Sequence, residues 1–345
     1  MTVRSKAPLR VGLAGGGSDV SPFCDIYGGA VLSATINLSA YCSIEETGDG
    51  LVVIDSYDAD FHGKMPAGRL LPIDGDAPLV KGVVNRLILE GKGLGKLSGG
   101  FRITTWNDAP AGSGLGTSST MVVCILDCME KWLGLHSDPY DLAAEAYAIE
   151  RKDLGFAGGR QDQYSAAFGG FNFMEFHPGG GADVHGLVLD EDVRSELETS
   201  LMLYYTGKSR SSAAIISEQQ KNTSSGNEAA IEAMKRIRLS AFEMRDALLA
   251  GNIKELARLL GLAWEDKKKM SSHVTNPMIQ EAMDVAMESG AIAGKVSGAG
   301  GGGVIMFLVD PTRRVEVTRA LNGLGSGRVM PFQFSPRGAH SWVVK

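Results

Sequence analysis

Leu9, Val11 and Leu13 alternate with Arg10, Gly12 and Ala14, a period of two that predicts a strand with one buried face. Apolar-rich stretches at 30–46 and 51–56 predict further β segments, and residues 101–106 alternate again. Residues 79–90 repeat apolar side chains at helical spacing, and two more helices are predicted over 119–133 and 138–152. A strand follows at 170–176 and is broken by His177-Pro-Gly-Gly-Gly181. A strand at 202–205 then opens a second half that is mostly helical to about residue 290, with i, i+3/i+4 patterning in 229–250, 252–269 and 277–288. Strands return at 294–296, 304–309, 329–334 and 341–344. The change of character sets a boundary near residue 190, dividing the chain into 1–190 and 191–345. The later part reads as an α+β layer.

The remaining chemistry narrows this picture. A chain of 345 residues with 44% hydrophobic and 21% charged positions is long enough for a sizeable core. Its net charge of −6 argues against a nucleic-acid or anionic-membrane partner. No run of 18 apolar residues predicts a membrane span, and the N-terminus carries no apolar signal region, so the expected setting is the cytoplasm. The four cysteines make no disulfide framework and no zinc spacing, and they are expected as core thiols.

Glycine is the unusual component, 45 residues gathered into a few clusters. One cluster joins a strand to a helix. Pro110, Gly112, Ser113, Gly114, Leu115 and Gly116 form the loop, and Thr117, Ser118 and Ser119 open the helix. Glycines let backbone N–H groups crowd a phosphate, the helix adds free N–H groups and a positive dipole end, and hydroxyls supply further donors or a metal ligand. No Lys precedes the Ser/Thr pair, so this is not a Walker A loop. A second cluster, Gly15, Gly16, Gly17, Ser18 and Asp19, follows the first strand but misses the dinucleotide G-x-G-x-x-G spacing. A third, 297–303, holds five glycines and suits close approach to a ligand or to the other half. Glu150 and Asp162 flank a further Gly pair, Gly158-Gly159.

In this order the segments resemble the three signature motifs of the GHMP kinase superfamily (galactokinase, homoserine kinase, mevalonate kinase, phosphomevalonate kinase). The 110–119 loop is similar to P-x-x-x-G-L-G-S-S, with Thr117 at the first Ser, while 7–19 and 295–302 are similar to the first and third motifs. The stretches 4–23, 159–164 and 205–212 resemble the branch of that superfamily acting on D-glycero-D-manno-heptose 7-phosphate.

The resemblance implies an α+β, two-domain GHMP kinase fold, ribosomal S5 domain 2-like at the N-terminus and ferredoxin-like at the C-terminus. It implies an ATP- and Mg²⁺-dependent kinase acting on the anomeric hydroxyl of a sugar phosphate. Asp162 matches the catalytic Asp and Arg10 its basic partner; Ser118 and Glu150 match Mg²⁺ ligands. The Glu150 to Asp162 spacing is about one residue longer than in the mevalonate kinases. Asp19, with Gly16, Gly17 and Ser18, would meet sugar hydroxyls, beside Gly298 and Gly300 of the third motif. A phosphorylated acceptor needs its own cation, for which Arg160, Lys208, Arg210 and Lys295 stand in or beside the motifs. Lys81 and Trp106 are candidates near the adenine, and the run 267–269 reads as a solvated helix end. An acceptor such as L-fucose, galactose or a uronic acid, or a non-catalytic sugar sensor, are the competing readings. The oligomeric state stays open, a homodimer among the options.

Overall fold

The computed structural model describes residues 1–208 and 213–345. Twelve strands form two sheets among the described residues. The first sheet holds β1 (Thr2–Ala14), β2 (Gly29–Glu46), β3 (Leu51–Ser56), β4 (Phe61–Pro66), β5 (Phe101–Asn107), β6 (Phe171–Phe176) and β7 (Ala182–Leu187). The second holds β8 (Leu201–Tyr205), β9 (Ala291–Val296), β10 (Val304–Val309) and β11 (Arg328–Met330), in the order β11-β8-β10-β9. The last strand, β12 (His340–Val343), does not join that second sheet. It returns to the first and pairs antiparallel with β1, so the second half lends its final strand to the first.

The long strand β2 organises the large sheet. One edge pairs with β1; the other pairs with β6 through residues 29–34 and with β5 through residues 40–46. A register shift between Pro8 and Arg10 turns β1 over. Val3 and Ala7 thus join the core against helices Pro78–Leu89 and Thr117–Leu133, while Leu9, Val11 and Leu13 face the opposite core. That opposite core is shared: Leu32 and Ile36 pack with Met244, Leu256 and Leu260 from the helices of the second half. Its companion layer packs Met202, Ile305 and Phe307 against Ile279, Met283 and Leu321.

Three long helices of the second half start where Asn supplies a cap. Asn227, Asn252 and Asn276 accept from Ala230, Glu255 and Ile279 N–H, opening Glu228–Leu249, Ile253–Lys268 and Pro277–Glu288. Two strands escape the sequence pattern. β4 and β7 lie on the outer path of the sheet, where half-buried and exposed residues replace a clean apolar face. The predicted break at 177–181 is the turn of the β6–β7 hairpin. The predicted strand 329–334 is paired only at Arg328–Met330, after which Phe334 bridges to Ile36 in the first sheet. All four cysteines are buried free thiols. Among the described residues no helix is long and apolar enough to cross a membrane.

Candidate active site

The three glycine-rich segments converge on one cleft of about 660 Å³ between the large sheet and the second half. Two of them touch backbone to backbone. Gly114 has φ +79°, and a Cβ there would sit 2.5 Å from Ser297 O; a Cβ on Gly298 would sit 2.8 Å from Gly114 Cα. Neither loop tolerates a side chain where they meet. The helix Thr117–Leu133 begins at Gly116 with no side-chain cap, so its N-terminus opens on the cleft, where Thr117, Ser118 and Ser119 form part of the wall. Gly112, Gly114 and Gly116 line the cleft, whereas Leu115 is core, Ser113 is buried with an unpartnered Oγ, and Pro110 is exposed outside it.

Arg10 and Asp162 meet at the centre. Arg10, 3% exposed, donates through Nε to Asp162 Oδ1 at 2.7 Å, and its Nη2 lies 2.5 Å from the same oxygen. Its Nη1 donates to Gly114 O at 2.7 Å and to Ser297 Oγ at 3.4 Å. One guanidinium thus ties the first motif, the phosphate loop, the third motif and the carboxylate together.

Asp19 lines the cleft but is fully buried, and its carboxylate is saturated by the protein rather than open to sugar hydroxyls. Oδ1 accepts from Gly17 N–H and Gln161 Nε2, each at 3.0 Å; Oδ2 accepts from Arg160 N–H at 2.9 Å and Gln161 N–H at 3.0 Å. It holds the N-terminus of helix Gln161–Phe168, which carries Asp162. Gly16 and Gly17 line the cleft; Ser18 is fully buried and donates to Gly15 O and Ala30 O.

Ser118 Oγ donates to Glu150 Oε1 at 2.8 Å, and Gln163 Nε2 donates to Glu150 Oε2 at 2.8 Å. Glu150 sits in a π-helical turn, Ile149–Asp153, the type of turn that accommodates one extra residue in a helix. A residue that sequence reasoning did not single out completes the group: Arg151. It lies 3.1 Å from Glu150 Oε1 and donates to Ser119 Oγ at 3.0 Å. A hydroxyl and a carboxylate oxygen side by side, beside a loop suited to phosphates, fit magnesium, which takes one or two protein oxygens and the phosphates themselves. Among the described residues no set of three or more His, Cys, Asp or Glu forms a separate metal cage.

The expected phosphate cations are dispersed. Arg160 turns from the cleft to Asp25 at 2.8 Å and lies over the Tyr147 ring. Lys208 is exposed and does not line the cleft. Lys295 is buried and donates to Leu13 O at 3.0 Å; burial, then Lys267 and Arg10, push its pKa well below the usual lysine value. Arg210 lies outside the described residues. A cation outside that expected set does line the cleft: Lys267, 5% exposed, donating to Gly298 O. Burial and the neighbouring Arg10 bring its pKa down to about 8. Gly298 and Gly300 also line the cleft.

A second, mostly apolar pocket of about 230 Å³ adjoins the phosphate loop at Gly112, Thr117 and Ser118. Val80, Met121 and Phe156 wall it, and Asn107, whose Oδ1 is buried without a partner, lines it. Lys81 and Trp106 do not. Lys81 pairs with Asp74, and Trp106 stacks on Tyr41.

Comparison with known proteins meets this geometry. The GHMP kinases N terminal domain matches residues 78–170, and the GHMP kinases C terminal domain matches 244–327. The chain is 40% identical to D-glycero-alpha-D-manno-heptose 7-phosphate kinase of Campylobacter jejuni subsp. jejuni serotype O:2, over 99% of both chains. A crystal structure of a D-glycero-D-manno-heptose 1-phosphate kinase from Bacteroides thetaiotaomicron superposes with a TM-score of 0.84 at 51% identity, covering 99% of both. A mevalonate kinase structure at 18% identity shares the fold, with a TM-score of 0.72 over 96% of this chain and 98% of that one. With both halves matched and the motifs gathered on one cleft, this chain belongs to the GHMP kinase family of phosphotransferases.

Proposed function

We propose that the protein transfers the γ-phosphoryl group of ATP to the anomeric C1 hydroxyl of D-glycero-D-manno-heptose 7-phosphate. The product, a heptose 1,7-bisphosphate, would feed nucleotide-heptose and surface-polysaccharide (capsule) synthesis in the cytoplasm. The heptose assignment is supported by the relatives at 40% and 51% identity. The observation that carries the chemistry is the Arg10–Asp162 pair between the phosphate loop and the third motif.

In this reading the 112–119 loop holds the nucleotide phosphates and the 230 Å³ pocket takes the adenine, whose amino group suits the unpartnered Asn107 Oδ1. Ser118 and Glu150 would hold Mg²⁺, which when bound offsets charge on the phosphates. Asp162 orients the acceptor hydroxyl and takes its proton as the oxygen–phosphorus bond forms and ADP leaves. Arg10 fixes Asp162 and stabilises charge on the phosphoryl group in flight. Asp19 acts through Gln161 as a positioning residue.

ADP release with MgATP is the test, run across heptose 7-phosphate, heptose 1-phosphate, dephosphorylated heptose, galactose and L-fucose. Turnover restricted to heptose 7-phosphate, lowered roughly 100- to 10,000-fold by Asp162→Asn, is expected. The 1-phosphate acceptor is included because the name of the Bacteroides structure specifies it. Turnover of that compound, whose C1 oxygen already carries phosphate, would contradict the C1 assignment; turnover of an unphosphorylated sugar would contradict heptose 7-phosphate as the acceptor.

A further inference from the structure

The run 267–269 ends a helix, and its three lysines have different fates. Lys268 pairs with Glu265 at 2.7 Å and Lys269 with Asp266 at 3.0 Å, both on the outer surface. Lys267 turns inward, its ammonium donates to Gly298 O, and the residue lines the cleft. The other two cations on this wall have carboxylate partners, Arg10 with Asp162 and Arg151 with Glu150. Lys267 has none within ion-pair distance among the described residues; its one acceptor is Gly298 O. The nearby carboxylate, Asp19, already accepts four hydrogen bonds. The neighbouring buried lysine, Lys295, is turned to Leu13 O.

A buried ammonium has three donors and a large desolvation cost, and a single carbonyl oxygen satisfies little of either. A site that keeps such a group on the wall of a cleft, with the Arg10 guanidinium nearby, is arranged for a mobile anion. Resting on the kinase reading above, we propose that Lys267 is a phosphate-binding residue of the cleft, its ammonium meeting phosphoryl oxygens of a bound ligand. Two phosphate groups have that chemistry: the terminal phosphoryl of ATP and the phosphate monoester of a phosphorylated acceptor. Both enter this cleft, and affinity measurements separate them.

Titration calorimetry on the full chain, its Lys267→Met variant and its Lys267→Gln variant would use four ligands: MgATP, MgADP, heptose 7-phosphate and dephosphorylated heptose. A lost charge-assisted contact weakens the ligand that made it by roughly 10- to 100-fold. Weakening of heptose 7-phosphate without the dephosphorylated heptose assigns Lys267 to the acceptor phosphate. Weakening of ATP without ADP assigns it to the transferred group. The ligand-free variants should keep or raise their melting temperature, because a buried charge has been removed.

Unchanged affinities would overturn the proposal. Equal weakening of all four ligands with a lower melting temperature would also overturn it, leaving Lys267 as a prop for the Gly298 loop. Should the unaltered protein bind heptose 7-phosphate no better than dephosphorylated heptose, the acceptor reading fails, and Lys267 is judged on ATP against ADP alone.

Discussion

Asp19→Asn separates a structural clamp from a sugar ligand. The carboxylate of Asp19 accepts two bonds on each oxygen, from Gly17, Arg160 and Gln161. An amide keeps one acceptor and turns an NH₂ toward two N–H donors, which are then buried without partners. Each such orphan costs about 1–3 kcal/mol, so the variant should lose roughly 2–6 kcal/mol of stability. Removing a negative charge at the N-terminus of helix Gln161–Phe168 adds about 0.3–1 kcal/mol. Since Asp162 directly follows Gln161, the loosened helix should also lower kcat. Urea unfolding and initial rates read the two effects. A variant within about 0.5 kcal/mol of the parent, with kcat kept and only the acceptor KM raised, would refute the clamp and return Asp19 to direct sugar binding.

Other residues give equally direct expectations. Glu150→Gln should raise the magnesium concentration needed for half-maximal rate by roughly 10- to 100-fold at unchanged fold, read by activity against Mg²⁺. Gly114→Ala places a Cβ 2.5 Å from Ser297 O at φ +79° and should abolish nucleotide binding in a calorimetric titration while the far-ultraviolet spectrum stays helical. Lys267 should also mark stability against pH, with Arg10 and Asp19 as its charged neighbours and Lys295 as a second buried lysine nearby. Its pKa is about 8 in the fold against 10.5 for an ordinary lysine. Below 8 both states are protonated and the full burial cost applies; between 8 and 10.5 only the unfolded chain holds the proton, so stability rises with pH. That shift corresponds to about 3 kcal/mol, so Lys267→Met should out-stabilise the parent by up to that amount at pH 7, the gap closing by pH 10.5 in urea titrations.

The residues readable in advance were those whose neighbours in sequence are also their neighbours in the site. The phosphate loop, the third glycine run and the strand bearing Arg10 are local patterns, and the family resemblance supplied the long-range pairing of Arg10 with Asp162. Lys267 was not readable, because three consecutive lysines point in three directions around a helix and only packing decides which one turns inward. Arg151 was hidden for a related reason: the π turn at Ile149–Asp153 sets its direction, and no residue type announces such a turn. Asp19 was seen as a site residue, but its four donors come from a loop about 140 positions away and from its own turn. The return of β12 to β1 had no local signal either, since a four-residue strand carries no address for its partner.

The position of the new phosphate is the most direct test of the central claim. Phosphorus NMR of the product from heptose 7-phosphate and MgATP, with and without Asp162→Asn, reads it. The account predicts a second phosphate resonance coupled to the anomeric proton, absent in the variant. A new phosphate on any other carbon, or the same product at the same rate from the Asp162→Asn variant, would contradict it.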